Sequence, residues 1–398
     1  MTTQTRSPRV IASGTPSFRR TRLAMFVTGF TFFTLLYFVQ ALLPVFSAEF
    51  GVGPADSALA LSGTTGVMAF ALVLSGVVSD RFGRKAIMIA SLASSSALTV
   101  AMAAMGDWAG ILAVRVLMGI SLSGVQAVAM AYLAEEVEPA AFGVSLGLFI
   151  SGSALGGMAG RLVAGVLADV FDWRVATLVL GVAGLAASLV VARILPASRN
   201  FTRSAPGLGA LVSAAAAHLR EPVLVALFAV GFLMMGSFVT SFNYVTYRLL
   251  APPFGLSQFE VGLVFLIYLV GIPGSTIVGA LLARFHTATL LAAMLCLMLA
   301  GFAASVPDVL PAVLAGLAML SFGFFSGHAL ASGWVSRRAA RNRALAASLY
   351  LFTYYQGSSV VGYLGGFAWQ GAAWTGVVFL ATGLVLAALA IAAALRRV

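Results

Sequence analysis

Long apolar runs separated by short polar breaks dominate the chain. They fall at about 22–44, 57–79, 86–105, 108–131, 142–168 and 173–195, then at about 222–246, 258–282, 288–306, 309–332, 344–368 and 373–395. Each approaches the ~20 residues that an α-helix needs to cross a bilayer's hydrocarbon. A membrane β-barrel would show ten-residue segments of alternating polarity, and none is present. The pattern predicts an all-α membrane protein of twelve transmembrane helices. It divides into a tail at 1–21, a six-helix bundle at 22–195, a linker at 196–221 and a second six-helix bundle at 222–398.

The two bundles repeat one another. GVVSDRFGRK at 76–85 aligns with GALLARFHTA at 279–288, and SGSALGGMAGR from Ser151 aligns with QGSSVVGYLGG from Gln356. Trp173 and Trp374 each open the last helix of a half. Offsets of 203 and 205 residues at separate places indicate duplication, with halves related by an axis along the membrane normal and a site between them near midplane.

Composition sharpens this picture. Hydrophobic residues make up 61% of the chain, charged residues 9%, and mean hydropathy is +1.03. A soluble domain carries roughly 25% charged residues, so most of this surface must meet lipid. The net charge of +11 does not indicate nucleic acid, because the basic residues sit between apolar runs and form no single face. All but four of the 23 Lys and Arg residues fall on one side if the amino terminus is inside, which predicts a bacterial inner-membrane protein with both termini cytoplasmic. Arg174 and Arg248 fall on the other side, while Arg115 and Arg161 fall within spans. The basic first ~20 residues read as a cytoplasmic tail and not as a cleaved signal. Cys296 stands alone, so no intrachain disulfide forms.

Three motifs carry more specific information. In GVVSDRFGRK, Gly76 permits close helix approach, Asp80 ends helix 2, Gly83 makes the turn, and Arg81, Arg84 and Lys85 hold the loop on the cytoplasmic side. The second copy lacks the acid: Ala283 takes its place. Helix 4 carries RVLMG, with Arg115 and Gly119, and helix 5 carries SGSALGGMAG, whose Gly152, Gly156 and Gly160 share one face for close helix contact.

These runs resemble the signature loop, the helix-4 Arg-x-x-x-Gly motif and the glycine-rich helix-5 motif of the major facilitator superfamily. The likeness is to its drug–proton antiporter branch, although the proline of the helix-5 motif is missing. MAGRLVAG, ILPASRNF and MGSFVTSFNYVTYRL also resemble a bacterial subgroup of inner-membrane transporters typified by YnfM. The resemblance implies a transporter working by alternating access, a role for Arg115 in proton coupling, and a cytoplasmic gate built on the first-half loop.

Charged groups inside a membrane are costly and mark candidate sites. Arg115 and Arg161 are expected at similar depth in the outer half of the bilayer, flanking a pocket. All twelve Asp and Glu residues fall at or near helix ends or loops. The arginines thus either receive an anionic substrate or are tied to backbone carbonyls, Gln40, Gln126 or rim acids. Tyr37, Gln40, Gln126, Asn243, Tyr244, Tyr354, Tyr355 and Gln356 are further candidates for a substrate cavity. Proton coupling needs a titratable group, for which His328, Glu135 and Asp56 are candidates beside Arg115.

There is no H-E-x-x-H, P-loop or Cys–His cluster, so neither an enzyme, a metal nor a cofactor is expected. The expectation is a monomeric secondary transporter that exports a small organic compound, amphipathic or anionic, against protons. The alternative is proton-coupled import of an anionic metabolite or siderophore-like compound.

Overall fold

A computed structural model describes residues 10–200, 208–339 and 341–397. Arg6, Arg9 and Arg203 of the predicted tail and linker lie outside the described residues, as do the side chains at Gly76 and Asp80. Among the described residues there is one isolated β-bridge and no strand. The first half contains α1 (Pro16–Phe50), α2 (Pro54–Phe82), α3 (Arg84–Met102), α4 (Trp108–Glu136), α5 (Pro139–Val170) and α6 (Trp173–Ile194). A short helix, Leu208–Leu219, lies in the linker. The second half begins with α7 (Pro222–Leu250), α8 (Gln258–Leu281), α9 (Thr287–Ala304) and α10 (Leu310–Arg338). Its last helical stretch, Arg343–Ala394, has 52 residues, far more than one crossing needs. Ala372 and Ala373 leave helical geometry there and split it into α11 (343–371) and α12 (374–394). The twelve expected spans are therefore present.

Helix 1 starts earlier than its apolar run. Thr15 caps it by accepting from the Phe18 amide at 3.2 Å, and Pro16 opens the first turn. Arg19, Arg20 and Arg22 thus lie on the helix and not in a tail, because a long basic side chain can leave an apolar boundary that its backbone has crossed. Ahead of the cap, Ile11 pairs with the turn between α4 and α5, donating to the Glu136 carbonyl at 2.7 Å. Ser13 hydrogen-bonds Glu138 and holds its carboxyl below the usual carboxylate range.

Two spans are broken. α1 passes through a 3₁₀ segment, Phe38–Leu42, before resuming as Leu43–Phe50. Pro44 explains it: proline has no N–H to give the Gln40 carbonyl, and its ring crowds that turn. Carbonyls along the break find side-chain donors instead. Leu35 and Leu36 accept from Arg115, Ala41 from Gln258, and Leu43 from Ser57 at 2.6 Å and Tyr247 at 2.9 Å. α8 carries the second break, a 3₁₀ turn at Phe265–Ile267.

Small residues set the packing within each half. A Cβ on Gly152 or Gly156 of α5 would overlap the Phe26 or Phe30 carbonyl of α1, and one on Gly357 of α11 would overlap the Phe232 carbonyl of α7. Thr34 of α1 donates to the Gly156 carbonyl at 2.9 Å, and Thr240 of α7 donates to the Val361 carbonyl at 2.9 Å. The same bond therefore recurs in both halves, which is the predicted duplication in atomic form. Side chains left exposed, such as Leu178, Val182 and Leu189 on α6 and Phe379 on α12, are apolar and suit contact with acyl chains.

The halves meet through α2 with α11 and α5 with α8. Ser359 donates to the Ser62 carbonyl at 2.7 Å and Gln356 to the Gly66 carbonyl at 3.2 Å. Gln258 of α8 reaches Ala41, and Gly165 of α5 lies against Gln258 and Gly262. Among the described side chains, these cross-half bonds run from mid-helix to the end bearing the α1–α2 and α7–α8 turns, here called the closed end. At the basic end, Arg84–Glu135, Lys85–Leu195 and Arg338–Glu221 each stay within one half or its linker.

Close packing at α1–α5 gives a direct test. Gly156→Ala is expected to destabilise by about 1–3 kcal/mol, because the added methyl meets backbone and not a movable side chain. Gly147→Ala, on the same helix with nothing within 4 Å, is expected to leave the melting temperature unchanged or slightly raised.

Candidate functional site

Arg161 of α5 sits where the two helix breaks meet, and it is 3% exposed. Its Nε donates to Gln40 Oε1 at 2.6 Å, on the broken segment of α1, and its Nη1 donates to the Gly157 carbonyl at 2.6 Å. Three rings surround its guanidinium carbon: Tyr37 at 4.5 Å, Tyr268 at 4.9 Å and Phe265 at 5.2 Å from the ring centroids. Tyr268 and Phe265 belong to α8, so the charge lies between halves. No carboxylate pairs with it among the described residues; the ion pairs there are Arg84–Glu135, Arg174–Glu49, Arg248–Asp308 and Arg338–Glu221. The other N–H groups of Arg161 lack a partner among the described residues. The Tyr268 hydroxyl is likewise buried without one.

Several acids are occupied at helix ends. Asp107, Asp172 and Glu221 cap α4, α6 and α7, and Glu260 completes a capping box on α8. Buried Glu136 accepts from the amides of Arg199 and Asn200 and so fastens the start of the linker. Among the described residues no acid lies at depth to neutralise Arg161. Burying a cation without a paired anion costs several kcal/mol, which the rings and two hydrogen bonds offset in part.

Hydrogen-bond polarity then propagates across the interface. Arginine only donates, so Gln40 must present its oxygen to Arg161 and its amide nitrogen to the next group. Gln40 Nε2 donates to Asn243 Oδ1 of α7 at 2.6 Å. Asn243 Nδ2 consequently points onward, buried and without a partner. A charge on α5 is thus linked through α1 to α7.

Arg115 has a different environment. It is fully buried, with Nε on the Ala60 carbonyl at 2.6 Å, Nη1 on Leu35 at 3.1 Å and Nη2 on Leu36 at 2.8 Å. Each guanidinium nitrogen therefore ends on a carbonyl of α1 or α2. Beside it Gly119 lets α4 lie on Thr64, whose hydroxyl donates to the Arg115 carbonyl at 3.0 Å. The two arginines expected to flank one pocket lie in separate environments: Arg115 among carbonyls of α1 and α2, Arg161 at the interface between halves.

The remaining candidates divide in the same way. Tyr37 and Gln40 lie at Arg161, and Asn243 lies one bond further. Tyr244 is fully buried, donating to the Gly362 carbonyl at 2.7 Å and stacking near Trp369. Tyr354 belongs to an aromatic wall with Tyr355, Phe324 and His328, at centroid distances of 5.2, 6.2 and 4.7 Å. His328 Nδ1 lies 3.0 Å from the Tyr350 hydroxyl. Gln356 ties α11 to α2, and Gln126 of α4 keeps a buried Oε1 without a partner.

Glu135 and Asp56 are distant from this wall. Glu135 takes three hydrogen bonds from Arg84 at the basic end, and Asp56 is exposed in the first turn of α2 at the closed end. In the loop motif, Gly83 has φ +93°, a conformation open to glycine, and Arg81 stacks over Phe82. Lys85 donates to the Leu195 carbonyl at 2.5 Å, fastening the loop to the end of α6. A separate groove of about 820 Å³ lies between α2, α3 and α4; its hydroxyls pair mainly with each other, as in Ser75–Ser123 at 2.6 Å.

Tyr268 and Phe265 were not among the residues singled out from sequence. The available signal was a hydroxyl-bearing aromatic within the apolar run at 258–282.

A membrane bundle of two repeated halves, with a buried arginine site between them and no metal-binding cluster among the described residues, is a carrier architecture. The chain belongs to the Major Facilitator Superfamily, whose family model matches residues 23–362. It is thus a multi-pass membrane transporter and not an enzyme. The inner membrane transport protein YnfM of Escherichia coli (strain K12) is 44% identical over 95% of this chain and 91% of its own length. The MFS-type transporter YybF of Bacillus subtilis (strain 168) is 41% identical over 97% and 96%. Among solved structures, a bacterial homolog of the human lysosomal transporter Spinster superposes with a TM-score of 0.76 at 15% identity, covering 96% of both chains.

Arg115 and Arg161 are expected to separate in a stability assay. Arg115→Met strands carbonyls of Ala60, Leu35 and Leu36, at about 1–3 kcal/mol per buried group, and should lower the melting temperature by several degrees. Arg161→Met removes a donor from Gln40 and Gly157 while eliminating a costly buried charge, and should melt near the unsubstituted protein.

Proposed function

We propose that this chain is a monomeric, proton-coupled exporter of a small organic anion, working by alternating access with Arg161 as the anion-binding group. The observation that carries the reading is a buried guanidinium between the halves with donors to spare and no carboxylate beside it among the described residues. A substrate carboxylate or phosphate supplies the missing charge through charge-assisted hydrogen bonds. Arg115 serves instead as the brace of the α1 break.

With the basic end placed in the cytoplasm, as the charge bias favours, both termini are cytoplasmic and the Arg161 site lies toward the outer side. The cross-half bonds then close the outer side, which supports loading from the cytoplasm. Export also suits the charge: moving an anion out of a negative-inside cell releases about 2.3 kcal/mol per charge per 100 mV. His328, on a spanning helix and in contact with Tyr350 and Tyr354, is the proton-carrying group of this scheme.

Gln40→Glu tests the reading because it installs the absent carboxylate without changing side-chain size. The new acid still accepts from Arg161, and Asn243 can rotate to donate to it, so folding should persist. In proteoliposomes, Gln40→Glu and Arg161→Met are each expected to reduce anion flux at least tenfold, as loss of a charge-assisted bond worth about 1.5–3 kcal/mol implies. Unchanged flux in both variants defeats the anion site. Flux driven only into right-side-out vesicles by an inward proton gradient replaces export with import.

A further inference from the structure

We infer that the anion received at Arg161 is a planar aromatic monocarboxylate. This rests on the reading of Arg161 as the anion site and goes on to the chemistry of the whole molecule held there.

Charge comes first. Gln40 takes the Nε hydrogen of Arg161 and Gly157 one on Nη1, which leaves three N–H groups, two on Nη2 and one on Nη1, for one two-oxygen acceptor. The Tyr268 hydroxyl, buried without a partner beside the same guanidinium, is available as a further donor to a carboxylate oxygen. Arg115 offers no second edge, because its nitrogens are on carbonyls. A dianion would therefore bring one charge that nothing answers. A zwitterion fails for the opposite reason: an ammonium group would find the acids engaged at helix ends and a like charge at Arg161.

The rest of the ligand is set by what lies next to the arginine. Tyr268 packs edge-on to Phe325 at 5.8 Å, and Phe324 leads on to Tyr354 and His328. Phe324 is buried, whereas Phe325, Tyr354 and His328 keep partly exposed surface. A polyol placed against such rings would lose its water without gaining hydrogen bonds. A flat ring gains stacked and edge-to-face contacts.

The test is ligand-induced thermal stabilisation of the purified full-length chain at constant ionic strength, using benzoate, cyclohexanecarboxylate, phthalate and benzamide. Benzoate is expected to stabilise at about fivefold lower concentration than cyclohexanecarboxylate, which has the same charge and a puckered ring. Phthalate and benzamide are expected to give no shift. Tyr268→Phe should weaken benzoate several-fold without lowering the melting temperature of the unliganded protein, and Tyr354→Leu should erase the preference for benzoate over its saturated analogue. Equal responses to benzoate and cyclohexanecarboxylate overturn the aromatic assignment and leave the anion site standing. A benzamide response equal to benzoate, or a benzoate response kept in Arg161→Met, overturns the anion site itself. No response to any of the four compounds overturns the aromatic monocarboxylate.

Discussion

A single guanidinium buried between two halves, with no acid to answer it among the described residues, constrains the surrounding structure. Arg161 draws the amide of Gln40, a backbone carbonyl and three aromatic faces around itself. Apart from that carbonyl, which is Gly157 of α5 itself, those partners lie in or directly beside the two places where the spans lose regular helical form, Phe38–Leu42 and Phe265–Ile267. A straight α-helix hides its carbonyls and fixes its side chains at helical angles. The broken segments present groups at angles a regular helix does not offer, at the cost of carbonyls that must be capped elsewhere. Arg115, Gln258, Ser57 and Tyr247 provide that capping. The two buried arginines therefore work as a pair in an indirect sense, since one stabilises the break that positions a partner of the other.

Duplication makes this asymmetry easier to see. The threonine-to-carbonyl bond and the glycine contacts of α1–α5 recur in α7–α11, so the packing of both halves follows one plan. The residue that aligns with Arg161 is Gly366, which packs against the backbone of Ala55 at the start of α2. One half thus contributes a charge at the interface, and the other contributes close contact at the equivalent place. Proline is equally one-sided: Pro44 breaks α1, while its counterpart α7 runs unbroken from Pro222 to Leu250. Function in a repeated bundle arises where the copies have diverged, since the shared features are already used for packing.

Much of this was legible in the chain itself. Twelve spans follow from apolar runs of bilayer length, and the glycine face of helix 5 follows from spacing. Arg161 drew attention because a charge in a span is expensive. What the sequence could not separate was Arg161 from Arg115, for both are arginines at similar depth. Their difference depends on which carbonyls the Pro44 break sets free, a matter of three-dimensional placement. Tyr244 and Tyr268 show the same limit. Each is a tyrosine in an apolar run, yet one hydroxyl is satisfied by Gly362 and the other is left without a partner. Helix ends were blurred for a simpler reason: hydropathy marks where lipid begins, whereas the Thr15 cap marks where the hydrogen-bond ladder begins.

On the proposed function, the same contacts couple occupancy to movement. Opening the closed end requires α7 and α8 to leave α1 and α5, which separates Asn243 from Gln40 and removes Tyr268 and Phe265 from Arg161. Without cargo, that step strips a buried cation of two of its three rings. With an anion in place, the guanidinium keeps a charged partner throughout and the transition no longer exposes an unpaired charge to a low-dielectric interior. A ligand shifts a conformational equilibrium only by its differential affinity for the states. Here that difference originates in the charge which the protein itself leaves unpaired.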